Sequence, residues 1–118
     1  MPADDRLDAA AFLDEYAARP PRPEPNHPAA DTPQWRAIQG SLRDIAERLR
    51  QLATGRPAEF LERDSTFLEG QSSRLYRMHQ WIRKETSLSA HDANAAETAR
   101  QTAERLLLIA MLVREQIQ

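Results

Sequence analysis

The stretch Leu106-Leu107-Leu108-Ile109-Ala110-Met111-Leu112-Val113 runs for eight residues without a polar side chain. A helix through it is apolar on every face rather than on one, so the rest of the chain, or a partner, has to cover it. A bilayer span takes about 20 apolar residues, and Arg105 and Arg114 bracket this octet closely. Core or interface is therefore the reading. Leu106, Leu107, Leu108, Ile109, Met111, Leu112 and Val113 are the candidate interaction residues.

Upstream of the octet, Ala96, Ala99 and Ala103 lead into Leu106, Ala110, Val113 and Ile117 at heptad spacing. These positions make one helix whose alanine-rich first half permits close approach by a neighbour. Ser89 supplies an N-cap, with Asp92 three residues on as its capping-box partner. The helix before it is expected over residues 57–85. Leu61, Leu68, Leu75, Met78 and Ile82 form its seam, with Phe60, Phe67 and Trp81 alongside. Asp64 and Gln71 interrupt that seam and Gly70 lies between them, so a kink, if the helix has one, falls at 65–73.

Further upstream, Trp35, Ile38, Leu42, Ile45, Leu49 and Leu52 recur at alternating spacings of three and four, a coiled-coil-like heptad seam with no polar interruption. Thr32-Pro33 starts that helix, and Gly55 followed by Pro57 stops it. Residues 19–32 hold five prolines and favour an extended Pro-rich linker over a helix. Two PxxP matches within it follow from proline density alone. Residues 4–18 form a short helix with a weak apolar face, Leu7, Ala10, Ala11, Phe12, Leu13, Tyr16 and Ala17, that needs a surface to dock on.

The predicted fold is all-α: an antiparallel bundle of three long helices, preceded by a short helix on a Pro-rich linker. The divisions are 1–18, 19–32 and 33–118. Short connections between consecutive helices imply antiparallel neighbours. The octet's last wall is then either the N-terminal helix or a second copy of the chain in a homodimer.

The 118 residues carry a formal charge of −2 and no cysteine. One small domain's worth of core fits that length. Near-neutral charge gives no global attraction to nucleic acid or to an anionic membrane. The absence of cysteine removes thiolate chemistry and disulfides, and with no secretion signal the expected location is cytoplasmic. Fifteen arginines to one lysine, Lys84, suggest a GC-rich, bacterial genome.

Searched for chemistry, the chain offers little. No Glu-x-x-His pair falls on an expected helix, since His27 lies in the Pro-rich linker, and no Gly-rich phosphate loop or nucleophile elbow is present, so no metal and no cofactor are expected. Glu59 and Glu62 form an ExxE pair without a second acidic pair to match it. Gln71-Ser72-Ser73-Arg74-Leu75-Tyr76-Arg77-Met78-His79-Gln80-Trp81-Ile82-Arg83-Lys84 is basic, free of acids and interleaved with aromatics. Arg74, Arg77, Trp81, Arg83 and Lys84 are its candidate anion- or RNA-binding residues.

Within that stretch, Arg74 and His79 form an Arg-x4-His that resembles the Rx4-6H signature of HEPN domains, small all-α bundles that include many metal-independent ribonucleases and usually act as dimers. The resemblance spans six residues and a fold class. It implies His79 as general acid or base at the 2′-hydroxyl and Arg74 as the group stabilising the phosphorane. Leu75 stands where the family usually places a polar residue. The leading expectation is a non-catalytic interaction or assembly module that self-associates or binds a protein partner. An RNA- or anion-binding module is the alternative.

Overall fold

A computed structural model of the chain describes residues 4–18, 33–85 and 90–117. The described residues are all-α, in four helices: α1 (Asp5–Ala18), α2 (Pro33–Ala53), α3 (Leu61–Glu85) and α4 (Ala90–Glu115). The Pro-rich linker, the Thr32 cap and the Ser89 cap at the α3–α4 turn lie outside the described residues. Contacts divide the chain into two compact units, Met1–Phe60 and Leu61–Gln118. Helix α2 finds its partner in α1, and α3 finds its partner in α4.

In the first unit each helix caps the other. Asp4 precedes α1 and accepts the backbone N–H of Arg6 at 2.9 Å, as an N-cap does. Arg6 extends to α2 and donates to the Leu52 carbonyl at 3.0 Å, one of the acceptors that a helix end leaves open. In return, Gln39 near the start of α2 donates to the Ala17 carbonyl at the end of α1 at 2.7 Å. Start meets end at both places, so the pair is antiparallel. An Asp14–Arg50 ion pair adds a half-exposed link worth about 0–1 kcal/mol.

Of the α2 seam, Trp35, Leu42, Ile45 and Leu49 are buried and Ile38 and Leu52 are half-buried, and Leu13, Tyr16 and Ala17 of α1 are buried with them. The Tyr16 ring meets Trp35 edge to face, with centroids 5.9 Å apart. Gly55 ends the helix at φ 85°, with Gly55 N–H bonded to the Leu52 carbonyl and Arg56 N–H to the Gln51 carbonyl. That pair of bonds is a Schellman closure, which glycine enters without a Cβ clash.

Helix α3 starts four residues later than expected. Phe60 sits at φ 67°, in the left-handed region that breaks a right-handed helical path, so the helix begins at Leu61 rather than Pro57. From Leu61 to Glu85 it is unbroken through Gly70. A kink needs a cause such as an inserted side chain or a lost hydrogen bond, and glycine only permits one.

The second unit is organised by a polar ladder. Ser65 Oγ donates to the Ala110 carbonyl at 3.0 Å, and Ser72 Oγ donates to the Ala103 carbonyl at 2.6 Å. His79 Nδ1 lies 2.8 Å from the Ala96 carbonyl. As numbers rise by seven on α3 they fall by seven on α4, which fixes an antiparallel pair with rungs about 10.5 Å apart. Each carbonyl also serves its own helix, using its second lone pair for the rung. A serine side chain is short, so it reaches a facing backbone only where that helix carries nothing larger than alanine. Leu68, Leu75, Met78 and Ile82 bury their side chains on α3, and Leu106, Ile109 and Val113 on α4.

Two substitutions with opposite signs test this packing. Ala103→Leu forces extra methylenes into the closest approach and should lower stability by about 1–3 kcal/mol. Gly70→Ala, where an added Cβ meets nothing within 4 Å, should raise it by about 0.5–1 kcal/mol. Urea denaturation of both variants checks the signs.

Candidate functional site

The octet divides between two environments. Leu106, Ile109, Ala110 and Val113 are buried, and Leu112 is half-buried. Leu107, Leu108 and Met111 are 46%, 58% and 54% exposed. Spacings of one, three and four put these three on one side of α4 as a continuous apolar strip. Glu104 stands one turn before the strip and Arg114 one turn after it. Glu104 is bonded to Arg100 at 2.6 Å, and Arg114 to Glu69 of α3 at 3.0 Å. Three of the seven candidate interaction residues thus serve the core, and three face outward.

The basic stretch also divides. His79 is buried and turned toward α4. Because the Ala96 carbonyl only accepts, the proton of this bond sits on Nδ1, which leaves Nε2 as the second nitrogen. His79 borders a recess of about 180 Å³ lined also by Arg83, Ala93, Ala96 and Glu97. Arg74 and His79, five residues apart, project about 140° away from each other around α3. Arg74 keeps Nε and Nη2 buried without a hydrogen-bond partner, and Gln71 Oε1 is in the same condition.

Arg77, Trp81, Arg83 and Lys84 face outward, as does Tyr76. Arg77, Arg83 and Lys84 make no ion pair among the described residues. Arg6, Arg50, Arg100 and Arg114 are each bonded to a carboxylate.

Electrostatics near the recess centre on Glu97. The Arg100 side chain hydrogen-bonds its carboxyl and holds it below the usual glutamate range, with His79 adding a smaller pull in the same direction. The same pairing raises Arg100 above its ordinary value. Among the described residues, no group of three His, Cys, Asp or Glu side chains converges to hold a metal ion. No described helix is long and apolar enough to cross a membrane.

Sequence reasoning missed Ser65 and Ser72, the residues that set the α3–α4 register. Their signal was available: Ser65, Ser72 and His79 recur every seven residues, opposite Ala96, Ala103 and Ala110 with the same period. No protein-family model, curated protein or solved structure matches the chain.

Glu97 provides a test of the local field. Its folded-state pKa is depressed, so its contribution to stability is present above the unfolded value of about 4.3 and is lost as pH falls through the folded value. A carboxyl-carbon NMR titration should place Glu97 below that reference, and Arg100→Gln should move it back up. An unchanged midpoint in the variant would reject the pairing as the cause.

Proposed function

We propose that the chain is a non-catalytic helical assembly module that self-associates through the outward strip of α4. The observation that carries this reading is that Leu107, Leu108 and Met111 are left exposed side by side while Leu106, Ile109, Ala110 and Val113 are buried. A solvated helix face gains nothing from three large apolar side chains in one patch, whereas an interface does.

The pattern around the strip favours a second copy as occupant. A two-fold interface brings residue i against j and j against i. With the axis near Ile109 and the helices antiparallel, Leu107 of one copy meets Met111 of the other, and Glu104 meets Arg114. Acid then faces base at both ends of an apolar centre. Other proteins would need to supply that same arrangement by coincidence. The strip is small beside the roughly 800 Å² per partner of a standard stable interface, so the association is weak and concentration-dependent.

Sedimentation equilibrium of the full chain across a wide concentration range tests the proposal. A monomer–dimer equilibrium is expected, and Leu108→Glu should shift it to monomer with little change in melting temperature, because the side chain is exposed. Glu104→Arg should weaken the dimer and Glu104→Arg combined with Arg114→Glu should restore it. A monomer at every concentration, or a dimer indifferent to Leu108→Glu, would sink the idea.

A further inference from the structure

The outward side of α3 between Ser73 and Lys84 is composed differently from any other surface described above. Two lines of side chains run along it at spacings of three and four: Arg77, Trp81 and Lys84 on one, Tyr76, Gln80 and Arg83 on the other. All six are exposed, and Ser73 closes the N-terminal end. One line sets Trp81 between two cations, the other sets Tyr76 with one, and neither contains an acid. The strip is about 16 Å long at 1.5 Å per residue.

Within a chain of net charge −2, this local excess meets no acidic partner among the described residues. Glu97 and Glu104 of α4 are both bonded to Arg100. Arg77, Arg83 and Lys84 have no such partner among the described residues. The rings are also accessible to solvent, although Tyr76 meets the His79 ring with centroids 5.6 Å apart. Tyr76 is 45% exposed and Trp81 36% exposed, although either would gain by burial in the core.

We propose that this strip is a binding site for single-stranded nucleic acid, with Trp81 and Tyr76 stacking on bases and Arg77, Arg83 and Lys84 pairing with phosphates. Every base presents a π face, so stacking on aromatic rings captures an unpaired strand with little regard to sequence. A duplex keeps its bases stacked on each other and offers the rings nothing. A membrane surface fits less well. Membrane-surface helices bury a broad apolar face between cations, whereas Ser73 and Gln80 occupy those places here. His79 is committed to the Ala96 carbonyl on another face of the helix, so the proposal is one of binding without strand cleavage. Arg74, with Nε and Nη2 buried, is not counted among the contacts.

Fluorescence supplies a local readout, because Trp35 is buried and Trp81 is the exposed indole. Full-length protein is titrated with short oligouridylate and oligothymidylate, following Trp quenching and anisotropy of a labelled strand, with a duplex of equal length for comparison. Three phosphate contacts predict a log–log salt slope of about −2, at about 0.7 per contact released from a single strand. The double variant Arg77→Glu, Lys84→Glu should weaken binding by about tenfold or more near 50 mM salt and flatten the slope to about −0.7. Trp81→Ala should lose about fivefold or more with the slope unchanged. Circular dichroism verifies that these surface variants keep their helix content. Three outcomes each overturn the proposal: no binding to either single strand at low salt, binding indifferent to both variants, or duplex bound as tightly as single strand. Residue-dependent binding to phosphatidylserine vesicles with none to oligonucleotides would overturn it in favour of a membrane site.

Discussion

The close approach of α3 to α4 is the constraint on which the second unit depends. Three α3 side chains reach the backbone of the facing helix at Ala96, Ala103 and Ala110, and that reach exists only because those positions are alanine. Each hydrogen bond is worth about 0.5–1.5 kcal/mol net, so the rungs are not the bulk of the stability. Their role is selection. Apolar seams tolerate sliding, since leucine meets leucine in many registers, but a buried serine hydroxyl without an acceptor costs about 1–3 kcal/mol. A slip by one residue would orphan every rung at once.

That register decides which part of the octet is available. With Ala103 and Ala110 against α3, Leu106 and Val113 follow onto the buried side because they lie three residues from them. Leu107, Leu108 and Met111 are carried to the opposite side by the same helical rotation. An all-apolar segment is therefore divided between core and solvent by one hydrogen-bonding pattern. Composition alone assigns both halves to the core.

Much of the helix layout was legible in the sequence, and the reasons are local. Helix α2 carries an uninterrupted heptad seam, Pro33 in its first turn and a Gly55 stop, so pattern and termini agree. The start of α3 is not legible, because Pro57 suits a first helical turn, while the event that delays the helix, Phe60 at positive φ, is one a bulky residue rarely adopts. The pairing of α1 with α2 was not legible either. It rests on Arg6 reaching Leu52 and Gln39 reaching Ala17, contacts between residues far apart in the chain that carry no periodic signature. The candidate surfaces were half visible: their residue types were plain, but whether a leucine or an arginine faces in or out depends on the α3–α4 register.

Helix α3 then answers to two kinds of neighbour. On the ladder side, Ser65, Ser72 and His79 each meet a backbone carbonyl of α4 at 2.6–3.0 Å, His79 through its ring nitrogen. On the outward side, Arg77, Arg83 and Lys84 make no ion pair among the described residues, and Tyr76 and Trp81 stay exposed, Tyr76 with its ring 5.6 Å from that of His79. Had the outward residues served only solubility, charge of either sign would suffice, and exposed Trp and Tyr would be a liability rather than a help. A surface that excludes acids over residues 71–84 while keeping two rings in water is better matched to an anionic, planar partner than to solvent. The rigid ladder behind it holds those rings at fixed spacing, which lowers the entropy lost when such a partner binds.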